Sequence, residues 1–141
     1  MAAAEHSSEE RPIVRVLRWV AVLPGALLAG WVGWLLIGFG NRLSFSMTGL
    51  DPDGFLSRIF IEGVSHGAIG AAGVYFGALI APTARHVVVF VLAGIFILLG
   101  GFLLFPAILT KNWWAIYAVV ALAFGAGAVA FSVYTGETSF E

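Results

Sequence analysis

Four runs of apolar residues, each near the roughly 20 needed for a helix to cross about 30 Å of hydrocarbon, divide this chain of 141 residues. They cover 16–39, 59–81, 87–109 and 113–134. The third and fourth hold no charged side chain, and the first holds only Arg18, beside its edge. The second alone carries ionisable groups inward, Glu62 and His66. In hydrocarbon every backbone N–H and C=O must find a partner within the protein, which leaves helices and closed barrels, and runs of this length are helical. The reading is an all-α membrane protein, four transmembrane helices in an up-down bundle, with 1–141 as one domain and 1–11 and 136–141 as polar tails.

Composition points the same way. Apolar residues make up 60% and charged residues 11%, against roughly 45–50% and about 25% in soluble domains. So little polar surface cannot cover a water-soluble globule of this size, and the lipid bilayer is the first partner expected. A net charge of −1 gives a nucleic acid no electrostatic hold. Without cysteine there is no disulfide, thiolate metal site or cysteine-ligated iron–sulfur cluster, and no cofactor is expected. The first run is too long for the apolar core of a signal peptide, so it reads as an uncleaved helix.

The ends of the runs carry basic and aromatic residues that suit a membrane interface: Arg11, Arg15, Arg18 and Trp19, then Arg85 and His86, then Lys111, Trp113 and Trp114, and finally Tyr134. The links 82–86 and 110–112 are tight and predict antiparallel hairpins. The link 41–57 is longer and centres on Asp51-Pro52-Asp53-Gly54. Aspartate as N-cap followed by proline at the first helical position is a strong start signal. It predicts a second helix beginning near Asp51 and running about 30 residues, or roughly 45 Å. Arg11, Arg15, Arg18 and Arg85 fall on one side, and Arg42, Arg58 and Lys111 on the other. That asymmetry places both termini in the cytoplasm.

Glycine supplies 18 residues, nearly twice its usual share of about 7%. The second run holds Gly63, Gly67, Gly70, Gly73 and Gly77; Ala26, Gly30 and Gly33 lie in the first, and Ala121, Gly125 and Ala128 in the fourth. Lipid gives helices no hydrophobic reason to associate, so close backbone approach at small residues carries the packing. Packing within one chain is the expectation, with a homo-oligomer seam as the alternative. Pro24 and Pro106 sit inside spans. The second leaves the Phe102 carbonyl without its helical donor.

One constellation could carry chemistry. Arg58, Glu62 and His66 follow one another at spacings of four, with Ser65 beside them, so they form one helical stripe. Ionisable groups within a span suggest function by default. In the structural reading Arg58 pairs with Glu62 at the interface and a neutral His66 ties two helices together. A second reading makes Glu62 and His66 a proton or ion site. A metal or haem site would take two ligands at this spacing but needs more, and His6 and His86 are the only other histidines, the latter at the opposite face. A hairpin centred near residues 83–84 sets Ser65 and His66 level with Phe102, and either is expected to donate to its freed carbonyl.

No nucleophile motif, paired intramembrane carboxylates or phosphate loop stands out, and enzyme activity is not expected. The leading expectation is a small non-catalytic accessory or assembly subunit of a membrane complex. The alternative is a small transporter or channel using Glu62 and His66.

Overall fold

The computed structural model describes residues 12–138 and Phe140. The expected polar tail 1–11, with His6 and Arg11, lies outside the described residues, as do residues 139 and 141 of the C-terminal tail. The described residues form four helices: α1 Pro12–Met47, α2 Phe55–Ile80, α3 Arg85–Leu109 and α4 Trp113–Tyr134. All four are long and apolar enough to cross a membrane.

The longest helix is α1, not α2. At 36 residues it extends about 54 Å at 1.5 Å per residue, through residues 41–47, which the sequence pattern assigns to the link 41–57. Its stop lies further on, at Gly49. There the Gly49 N–H donates to the Ser46 carbonyl, the Leu50 N–H donates to the Phe45 carbonyl, and Gly49 itself has φ +76°. This is the Schellman closure that a left-handed glycine permits. The expected start of α2 at Asp51 is corrected. The Asp51 carboxylate accepts from the Asp53 N–H at 3.0 Å, folding Asp51-Pro52-Asp53 into an Asx turn. The N-cap of α2 is Gly54, whose carbonyl takes the Arg58 N–H at 2.8 Å. Aspartate and proline thus make a turn of the kind that competes with helix initiation. At the other link the Asn112 side chain caps α4, accepting from the Ala115 N–H at 3.2 Å.

Helix α2 touches the other three. On α4 it comes backbone to backbone. A Cβ on Gly125 would run into the Gly67 carbonyl, and one on Gly70 would collide with the Leu122 carbonyl and stand 2.7 Å from the Ala126 nitrogen. On α1 the pairs are Gly30 against the Ile69 carbonyl and Gly33 against Ala68 and Ala72. Ala26, fully buried, sits in the notch left by Gly73 and Gly77, where Phe96 and Leu92 of α3 also enter. Around this notch Val22, Val74, Ala78, Val89 and Ala93 close an apolar core. At that end of the molecule the last carbonyls of α2, orphaned by helix geometry, are covered by arginines. Arg18 Nε donates to the Ile80 carbonyl at 3.1 Å and Arg85 Nε to the Ala81 carbonyl at 3.4 Å. Positive charge there also suits the helix dipole.

Gly70→Val is expected to destabilise the detergent-purified protein by about 1–3 kcal/mol, the usual cost of forcing atoms into a packed site. Gly101→Ala, where a Cβ meets no heavy atom within 4 Å, should leave the unfolding midpoint unchanged or slightly raised. Thermal melts of the two variants beside the wild type check both.

Candidate functional site

The stripe Arg58, Glu62, Ser65 and His66 lies on one helix but not in one place. Arg58 lays its guanidinium over the Trp114 ring, 4.3 Å from the centroid, a cation–π contact. The expected Arg58–Glu62 pair is therefore corrected: among the described residues no ion pair joins them, because the first turn of α4 brings an aromatic face to the arginine. Glu62 instead meets His66, with Nδ1 to Oε2 at 3.3 Å. A shorter contact decides the histidine. His66 Nδ1 donates to the Glu62 carbonyl at 2.8 Å, and since a carbonyl only accepts, Nδ1 bears the proton. The hydrogen bond stays within α2 and ties no second helix, a further correction. The interhelical contact of His66 is the Trp34 ring edge, centroids 6.4 Å apart.

The expected bond to the Phe102 carbonyl is corrected as well. Ser65 faces α1, where a Cβ on Gly38 would stand 3.2 Å from its Oγ. The Nδ1 proton of His66 is spent on its own helix, and the Phe102 side chain is exposed. His66 and Pro106 do line a common pocket of about 530 Å³ between α2, α3 and α4. Counting along the hairpin sets Ser65 and His66 level with Phe102, but the rotation of α2 turns the Ser65 hydroxyl toward Gly38 of α1.

What gathers polar groups is a groove of about 220 Å³ between α1 and α2. Trp34, Gly38 and Arg42 line it from α1, and Ile61, Glu62 and Ser65 from α2. Ser65 is 2% exposed, yet its Oγ makes no hydrogen bond. A serine in a helix commonly bonds back to a carbonyl of the preceding turn, so this hydroxyl, held against Gly38 in the groove wall, goes without a partner at a cost. Arg42 reaches Asp53 in the adjacent link at 3.7 Å, with both side chains largely exposed, an arrangement of little strength. Asn41, next to it, buries its Nδ2 without a partner. Of these residues, Arg42 enters the sequence analysis only as a charge that sets orientation, and Trp34, Gly38 and Asn41 do not enter it. The signal was there in the spacing: once α1 is allowed to run to Met47, residues 34, 38 and 42 fall on one helical stripe.

The five glycines of α2 all occupy contacts with neighbouring helices. Gly63 leaves room for the Tyr117 hydroxyl, which donates to the Ile59 carbonyl at 3.0 Å. Gly67 and Gly70 meet α4, and Gly73 and Gly77 meet α1 and α3. His86, which the haem reading needed near His66, packs instead against Phe140 at the far end. Among the described residues no cluster of three or more metal-ligating side chains forms. Comparison with protein families, with curated proteins and with solved structures returned no match.

Two substitutions separate satisfied from unsatisfied polar groups. Tyr117→Phe should cost about 0.5–1.5 kcal/mol, the net worth of one hydrogen bond. Ser65→Ala, in detergent free of added lipid, should cost nothing or stabilise by up to about 1 kcal/mol, because a buried hydroxyl without a partner is a penalty. Chemical denaturation midpoints read both signs.

Proposed function

We propose that this chain is an integral membrane protein, an up-down bundle of four spans with both termini in the cytoplasm, and a non-catalytic accessory or assembly subunit of a larger membrane complex. The observation that carries the proposal is how α1 sits. It is seated on α2 by a narrow stripe, with Val22, Ala26 and Gly30 its buried residues. Its other faces present Leu17, Val20, Leu28, Trp31 and Leu36 outward. An apolar surface of that extent suits lipid or the spans of a partner, and a helix held along one narrow face can take a second neighbour without disturbing the first. The arginines at 15, 18 and 85 share the end of the bundle that the positive-inside rule assigns to the cytoplasm.

A second reading, a small transporter or channel, draws on the groove. Glu62 is partly exposed there beside the unpartnered Ser65 hydroxyl, and carboxylates placed within spans often serve proton or ion paths.

Purification in mild detergent after cross-linking in native membranes should recover a larger integral membrane partner at fixed stoichiometry. Recovery of a homo-oligomer alone would turn the assignment to the second reading. In that case Glu62→Gln should abolish flux into proteoliposomes, and unchanged flux would remove the transport reading too. The natural absence of cysteine makes orientation easy to test. An impermeant maleimide should label Leu50→Cys on intact cells, and Thr135→Cys only after permeabilisation; the reverse pattern would invert the topology.

A further inference from the structure

The groove between α1 and α2 sets opposite charges at one height. Gly38 faces Ser65 across the helix pair. Arg42 lies one turn beyond Gly38 on α1, and Glu62 lies three residues before Ser65 on α2. Both line the groove, yet among the described residues no ion pair within 4 Å joins them; the partners of Arg42 and Glu62 are Asp53 at 3.7 Å and His66 at 3.3 Å. The His66 nitrogen concerned already donates to a backbone carbonyl at 2.8 Å. That leaves the carboxylate of Glu62 with acceptor capacity to spare, since it offers about four lone-pair sites. The Ser65 hydroxyl, buried and without a partner, adds another acceptor to the same wall. Leu35 and Phe39 complete the rim and are exposed.

We propose that this groove holds the headgroup of a lipid of the phosphoethanolamine type. Its primary ammonium donates to the Glu62 carboxylate and to Ser65 Oγ, its phosphate accepts from the Arg42 guanidinium, and its acyl chains run over Leu35 and Phe39. The polar wall dictates the choice. A carboxylate beside a hydroxyl oxygen calls for N–H donors, and the quaternary ammonium of a choline headgroup has none. An anionic headgroup without an amine meets Arg42 well and leaves Glu62 facing like charge. The groove is smaller than the roughly 300–1,000 Å³ typical of sites for drug-sized ligands, which suits a headgroup whose chains stay outside. The proposal rests on membrane insertion and is indifferent to whether the chain serves an accessory or a transport role.

The test uses the full chain in detergent, titrated with dioleoyl phosphatidylethanolamine, phosphatidylcholine or phosphatidylglycerol. Native mass spectrometry reads retained lipid, and the melting midpoint reads stabilisation. The ethanolamine lipid should be retained as a single adduct and raise the midpoint, with at least about tenfold preference over the other two, or 1.4 kcal/mol. Glu62→Gln, nearly isosteric, should erase that preference, and Ser65→Ala should weaken it. Arg42→Gln, which removes the partner of a phosphate common to all three lipids, should lower the retention of each while leaving the order unchanged. Equal retention of the three lipids by the wild type overturns the proposal without reliance on any variant, as does a preference that survives Glu62→Gln in a protein of unchanged helicity. Free O-phosphoethanolamine forms the separate arm: an equal shift at equal concentration overturns the lipid as the source and assigns the groove to a soluble zwitterion. Liposome flotation keeps the two hypotheses apart. Failure to float removes membrane insertion itself, whereas flotation without lipid preference removes only the headgroup site.

Discussion

The contact of Gly67 and Gly70 with Gly125, Leu122 and Ala126 governs everything else in the molecule. Two helix backbones meet there with no side chain between them. Apart from its polar stripe, α2 offers few groups with which to attract a neighbour, and dispersion between closely spaced backbones is what small residues make available. The same helix repeats the device on its other side, where Gly73 and Gly77 receive Ala26 from α1 and ring and methyl groups from α3. Glycine is a poor helix former, so five of them in one helix weaken its intrinsic stability. Close packing on three sides offsets that cost and makes α2 the helix that all three others touch.

Once α2 is locked at this rotation, its polar side chains have no freedom to choose their surroundings. Arg58 meets an aromatic ring of α4. Ser65 and Glu62 turn to α1 and line the groove with Arg42. His66 reaches the pocket that α3 and α4 share. Residues at spacings of four in sequence thus enter distinct environments, since a stripe on a helix drifts around its axis and neighbours on each side claim part of it. The unpartnered Ser65 hydroxyl follows from this: the apposition with Gly38 holds it buried, and no donor or acceptor of α1 stands opposite.

Several features were legible before any coordinates. The four apolar runs coincide with helices that the structure bounds at 12–47, 55–80, 85–109 and 113–134, the second run ending one residue further on, at the C-cap Ala81, because apolar length is a property of the chain alone. The approach of His66 to α3 was also legible, since a tight hairpin brings the two helices side by side, and His66 lines a pocket with Leu103 and Pro106. The start of α2 was not. Asp51 and Pro52 carry the same residue types whether they open a helix or an Asx turn, and the choice depended on α1 continuing to Met47 and closing on Gly49. The partner of Arg58 escaped for a similar reason: Glu62 was the nearest opposite charge along the helix, while Trp114 is distant in sequence and adjacent only after α4 docks.

By itself, then, the sequence determined that this chain makes four long apolar helices and that the second of them carries glycine and ionisable residues together. Those are consequences of length, hydropathy and local periodicity, which act within a single helix. Only the tertiary structure decided which way α2 faces, and with it that Glu62, Ser65 and Arg42 share a groove while Arg58 and His66 do not. Rotation about a helix axis is set by how two surfaces interlock, and a difference of one residue in that fit carries a side chain about 100° around the helix.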